Sequence, residues 1–339
     1  MASSMPPDVE DERRRAGFVR EHSLLCFFLL TFGLSWAGML AAVLLSPGGL
    51  ATTPEQLQES LGVAIVGMLL GPLVAGLVMT WVADGRGGFH ELRRRLSRWR
   101  VGLRWYAFAL LVAPVVMGGT LLLMSLVSRD FLPRIGTEQN RLPLLLMGLA
   151  VGVTVAFCEE IGWTGFAVPR MRLRWGVLGT GLTLGIVWSF WHLLQGYYAG
   201  GVTSHEISLA VWAPLWALAC LVGQLVAYRV LMVWVYDRTG GSLLLTMVMH
   251  ASLAGFTLIL FPPLSVVANQ IGGFATAAAM WAVVGVIGLT HGGHLSPAAG
   301  STPAVPGAAA TAVAPSDLLD WSPGAGPVAW PVPPSRRPS

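Results

Sequence analysis

The chain has 339 residues, 54% hydrophobic and only 11% charged, against roughly 25% charged in soluble proteins, so a water-soluble reading is effectively excluded. All 21 basic residues are Arg and the net charge is +4, but they fall in short clusters between apolar runs, which argues against a nucleic-acid partner. The 41 Gly and 14 Trp spread through the apolar runs suit membrane helices, where Gly tightens packing and Trp marks the interfaces.

In chain order, residues 1–22 form a short segment with Arg13, Arg14, Arg15 and Arg20, and the apolar run Ser23 to Ser46 that follows is too long for a signal-peptide core. It reads as a retained transmembrane helix. Spanning roughly 30 Å of hydrocarbon takes about 20 apolar residues at 1.5 Å each, and eight segments qualify: 23–46, 61–83, 105–127, 147–168, 178–199, 208–230, 242–262 and 272–290. The predicted fold class is therefore all-α, a polytopic membrane bundle of about eight helices over residues 23–290. Pro72, Pro114 and Pro214 are expected to kink spans two, three and six. Residues 291–339 turn to Ala, Pro, Gly and Ser and read as a disordered tail. No internal repeat or broken helix stands out.

Arg distribution orients the chain. With the N-terminus in the cytoplasm, seven Arg from Arg86 to Arg104 fall in one inner loop and Arg170, Arg172 and Arg174 in the next. Outer connections then hold only Arg129, Arg134 and Arg141, so the positive-inside rule favours both termini in the cytoplasm of a multi-pass cell-membrane protein. Arg93, Arg94 and Arg95 read mainly as this signal, with membrane lipid as a further contact. Cys26, Cys158 and Cys220 each lie in an apolar stretch, without disulfide or metal spacing.

Ionisable groups at membrane depth are costly, about 2.5 to 3.5 kcal/mol each at a helix centre, so the few that occur are informative. Of 17 acidic residues only Glu159 and Glu160 fall within the spans, and of seven His only His192 and His250. Glu159 lies about 2 Å inside the midpoint of its span, His192 about 5 Å outside and His250 about 3 Å inside, so three helices present them at one level. Adjacent Glu159 and Glu160 project about 100° apart, so one can face a reaction while the other supports it. A carboxylate with imidazoles can activate water, with or without a metal. The bland readings are a solvated Glu-Glu helix cap and His residues that only bond neighbouring helices. Arg229 is placed near an inner helix end, where it snorkels. His205 and Glu206 read as solvated loop residues, His291 and His294 as the start of the tail, and Trp188, Phe190 and Trp191 as packing around His192.

Three stretches together resemble the CPBP family of intramembrane metalloproteases, which groups CAAX prenyl endopeptidases with bacteriocin-processing and immunity proteins. Glu159-Glu160-Ile161-Gly162-Trp163-Thr164, followed by Pro169-Arg170-Met171, is similar to the family's Glu-Glu-x-x-x-Arg motif. Trp188-Ser189-Phe190-Trp191-His192 resembles Phe-x-x-x-His, and His250 to Ala254 resembles His followed four residues later by Asn or Asp. The resemblance covers about 143–262. It implies that Glu159 and His192 activate the attacking water and that Glu160 and His250 complete the catalytic site. It also implies that His192, His250 and Glu160 are the ligands if a metal, such as zinc, is bound. Thr164 stands in place of Arg, Trp188 in place of Phe and Ala254 in place of the amide or carboxylate, with Ser252 or Thr257 as candidate substitutes.

The leading expectation is an endopeptidase that hydrolyses a peptide bond of a membrane-associated or prenylated peptide. The rivals are a family member that binds without cutting and, further off, a proton-coupled transporter.

Overall fold

The computed structural model describes residues 17–45, 53–200, 202, 205–290 and 295. Residues 1–16 and most of the tail, with His291 and His294, lie outside them. Among the described residues there is no strand. The helices are α1 (Ser23–Leu45), α2 (Pro54–Leu96), α3 (Leu103–Ser125), α4 (Arg141–Gly162), α5 (Val177–Trp191), α6 (Leu193–Ala199), α7 (Leu209–Val222), α8 (Gln224–Arg238), α9 (Leu243–Leu260) and α10 (Val266–Thr290). Among the described residues, seven stretches are long and apolar enough to cross a membrane, and eight if the bent pair α5 and α6 is one span.

Each expected span has its helix, but several run further than the apolar windows suggest. α2 extends to Leu96, and its non-helical residue is Gly85, at φ 60°, not Pro72. A side chain at that φ would be strained, so Gly is what lets the chain turn from the apolar run into the segment carrying Arg93, Arg94 and Arg95. Glu91 holds two of these three arginines, taking Arg94 Nε at 2.6 Å and Arg95 Nε at 2.7 Å.

α4 begins at Arg141, and the helical path continues through a π turn (Trp163–Ala167) into Val168–Arg172. Glu159 is about 4 Å from the middle of that stretch, so the earlier start leaves it deep. One broken span corrects the expectation of unbroken helices: α5 and α6 meet at His192 with a 47° bend. Within the single long span Leu209–Arg238, the helix is interrupted at Gly223 between α7 and α8. The apolar run is continuous through both points, which is why hydropathy does not mark them.

Close helix contacts set the positions of the polar residues. A Cβ on Gly255 of α9 would stand 2.7 Å from Gly148 O of α4. One on Gly185 of α5 would stand 2.8 Å from Val226 Cα of α8. Only Gly permits both approaches, which bring Glu160 to His250 and the Trp188 helix to Arg229. One end of the bundle gathers the basic segments: Arg170 Nη2 meets Asp84 at 2.5 Å, Arg172 Nη2 meets Asp237 at 2.8 Å, and Arg95 Nη1 donates to Gly165 O at 3.2 Å. That last bond serves a carbonyl of the π turn, where the regular ladder is interrupted.

Candidate active site

The two glutamates leave α4 in different directions, and each is held from one turn further along. Trp163 Nε1 donates to Glu159 Oε2 at 3.2 Å, and Thr164 Oγ1 donates to Glu160 Oε2. Trp188 of α5 adds a second indole N–H to Glu159 Oε2 at 2.7 Å. The phenylalanine of the resembling motif has no such donor, so this departure gives Glu159 a partner.

Glu160 is fully buried, and so is Arg229 of α8, whose Nη1 lies 3.0 Å from both Glu160 oxygens. The Arg229 guanidinium also stands 4.1 Å over the Trp188 ring. The expectation that Arg229 snorkels from an inner helix end is therefore incorrect. α8 runs nine residues past it to Arg238, about 14 Å of helix, so the side chain cannot reach that end. A buried charge needs a partner, and the Arg229–Glu160 pair supplies one for both groups.

His250 joins the glutamates. Its Nδ1 is 2.7 Å from Glu160 Oε1, and its Nε2 is 4.0 Å from Glu159 Oε1. Because an ionised carboxylate only accepts, Nδ1 carries the hydrogen and Nε2 is directed at Glu159. His192 sits at the α5–α6 bend, where its Nδ1 bonds Trp188 O at 2.8 Å. It bonds neither glutamate directly, but it packs edge-on against Trp188 and Trp191 at ring separations of 5.5 and 4.7 Å.

Glu159, His192 and His250 line a common cavity of about 360 Å³, with Trp188, Trp191, Gln195 and Gln224. Glu160 does not line it. Ala254 presents a methyl group there, and Thr257 reaches the wall while its hydroxyl donates to Leu253 O at 2.8 Å. Ser252 is turned away, donating to Leu110 O at 2.8 Å, so it cannot replace the group missing at 254. His205 and Glu206 are exposed, and neither lines this cavity.

The set His192, His250 and Glu160 does not fit a metal in this arrangement. Both Glu160 oxygens face the Arg229 guanidinium, and one also takes His250 Nδ1, so a cation there would meet a resident positive charge and displace existing bonds. Among the described residues, no group of three or more His, Cys, Asp or Glu is arranged to hold a metal ion.

The fold and site define a multi-pass membrane protein with a buried glutamate–histidine–arginine cluster beside a cavity. Residues 141–256, about a third of the chain, match the family described as Type II CAAX prenyl endopeptidase Rce1-like, and this stretch is an Rce1-like domain of the CPBP family. It runs from the start of α4 into α9 and contains Glu159, Glu160, His192, Arg229 and His250. No curated protein matches the chain.

Arg229 is the site residue that sequence reasoning missed. The signal was present: residues 230–236 remain apolar up to Tyr236 before Asp237 and Arg238, so a span drawn to the charged pair would have placed Arg229 deep.

Proposed function

We propose that this protein is an intramembrane endopeptidase in which Glu159 is the general base. The observation that carries the reading is that Glu159 Oε1 and His250 Nε2 stand 4.0 Å apart on the wall of one cavity, while Glu160 and Arg229 are paired behind them. That separation is too long for a hydrogen bond, yet a water at about 2.8 Å from each atom bridges them at an angle of about 90°. The paired indole donors fix Oε2 and leave Oε1 toward the water.

In this mechanism Glu159 takes a proton as the water oxygen attacks the peptide carbonyl carbon. The tetrahedral intermediate collapses, the C–N bond breaks, and the proton passes from Glu159 to the leaving amine. His250, oriented by Glu160, steers the water, and His192 faces the reacting group from the helix bend. Glu160 and Arg229 act through His250 and Trp188 and do not touch substrate. The substrate is a peptide bond of a membrane-associated polypeptide, reached with both termini of the protease in the cytoplasm. The Rce1-like domain and the apolar setting of the cavity support this class.

One observation favours a non-cutting relative: Ala254 puts a methyl group on the cavity wall where a polar group would steady the oxyanion. A broken helix of the kind that suits a transporter is present at His192, but it borders the same polar cluster and its cavity.

The test is a comparison of membranes carrying the native protein with membranes carrying Glu159→Gln, read by peptide mass spectrometry. The endopeptidase yields new termini only with the native protein. Identical terminal profiles from equal amounts of folded protein remove the reading.

A further inference from the structure

Two hydrogen bonds fix the imidazoles of the cavity in one tautomer. His250 Nδ1 lies 2.7 Å from Glu160 Oε1 and His192 Nδ1 lies 2.8 Å from Trp188 O. Both oxygens only accept, so each Nδ1 carries the hydrogen, and each neutral ring has only an Nε2 lone pair left to offer the cavity. With Glu159 Oε1 these are all acceptors. They suit a water that donates to them, and they give nothing to the negative oxygen that forms when the water attacks.

The donors nearby are committed elsewhere. Trp163 and Trp188 give their indole hydrogens to Glu159, Thr257 gives its hydroxyl hydrogen to Leu253 O, and Trp191 Nε1 is closed off. Ala254 has none to give. Among the described residues lining the cavity, the side-chain amides of Gln195 and Gln224 are left. No described residue bonds the Gln224 amide; its Oε1 is closed off, whereas Nε2, the donor end, keeps accessible surface.

Helix pairing carries Gln224 to the level of the missing group. Gly181 and Gly185 of α5 pack against Val230 and Val226 of α8, so these helices run in opposite directions and Gln224 stands level with Val187 and Trp188. Tyr228 OH donates to Met249 O at 2.7 Å, and α9 turns back directly after α8. One turn earlier on α8, Gln224 therefore comes to the level of Leu253 and Ala254.

We propose that Gln224 is the oxyanion donor of this protein, its Nε2–H taking from α8 the place of the polar group that position 254 of α9 lacks. This rests on the endopeptidase reading. As the water oxygen bonds to the carbonyl carbon, the C=O electron pair moves onto the carbonyl oxygen and Gln224 donates to it, until collapse of the intermediate restores the carbonyl. Gln195, on α6 beyond the bend, is the rival donor.

The experiment is single-turnover cleavage, in micelles, of the peptide identified by its new termini, with Kd measured in the Glu159→Gln background. Gln224→Met keeps the bulk of the side chain and removes the donor, so cleavage should slow by about 10²- to 10³-fold while Kd stays within about threefold. Gln224→Glu, which offers a carboxylate instead, should lose as much, and thermal unfolding of each variant separates a lost donor from a lost fold. Adding Ala254→Asn to Gln224→Met should recover about tenfold or more, which a packing role for Gln224 does not predict. Cleavage at the native rate in Gln224→Met, no recovery with Ala254→Asn, or a loss carried by Gln195→Met instead overturns the assignment, and the endopeptidase stands if cleavage still depends on Glu159. Terminal profiles that are identical for native and Glu159→Gln protein remove the endopeptidase and this assignment with it.

Discussion

Arg229 gives the buried cluster its charge balance, since two carboxylates three helices deep would otherwise face each other with only His250 between them. Its guanidinium holds Glu160, its face covers Trp188, and Trp188 in turn donates to Glu159, so one side chain supports both glutamates. Replacing it strands a buried carboxylate, a loss of about 3–5 kcal/mol for an ion pair broken on one side. Arg229→Leu is therefore expected to lower the unfolding temperature and abolish cleavage. Thr164, whose hydroxyl already bonds Glu160, is the position from which a substitute charge can reach that carboxylate. Thr164→Arg in the Arg229→Leu background is expected to recover part of both losses, measured by thermal unfolding and peptide release. At this scale much of the site was legible. Glu159, Glu160, His192 and His250 stand out because acids and imidazoles within apolar runs are so few. Arg229 did not, because its reading depended on where a helix ended. The pairing of Glu160 with His250 also needed coordinates, since residue spacing says which face a side chain takes but not which neighbour it meets.

Helix contacts carry the residues into register, and two of them depend on the absence of a side chain. Gly255 lets α9 close on α4, and Gly185 lets α5 close on α8. A branched residue at either place meets backbone, not a flexible side chain, so the helices must part; overpacking of this kind costs roughly 1–3 kcal/mol. Gly255→Val should separate His250 from Glu160 and reduce cleavage at least tenfold while the protein still inserts and binds detergent as a monodisperse species. Size-exclusion chromatography with a cleavage assay reads both. The existence of α1 to α10 follows closely from apolar length, and the eight expected spans correspond to them. Their ends and breaks do not follow. Hydropathy does not mark the 47° bend at His192 because Leu193 and Leu194 carry the apolar run past it, and the Gly85 turn is hidden because helix resumes after it.

Across the whole molecule, the arginines of α2, the stretch after α4 and α8 come together at one end through Arg170–Asp84, Arg172–Asp237 and Arg98 to Gly240 O. The connection holding Arg129 and Arg134 lies between α3 and α4, and Arg141 is the first residue of α4. By the positive-inside rule, the Arg-rich end is expected to face the cytoplasm. In a protein with its three native cysteines replaced by Ser, Gln139→Cys should label with an impermeant maleimide on intact cells. Ser97→Cys should label only after the membrane is opened. The opposite pattern inverts the topology.

The central claim is that Glu159, not its buried neighbour Glu160, takes the proton from water at the shared cavity. The most direct measurement is single-turnover cleavage of an identified substrate by purified native protein and by Glu159→Gln, with binding measured in parallel. Loss of a general base should slow the chemical step by about 10²- to 10⁴-fold, leaving Kd within about threefold. Cleavage at the native rate in Glu159→Gln, with the substitution confirmed by mass spectrometry, would contradict it.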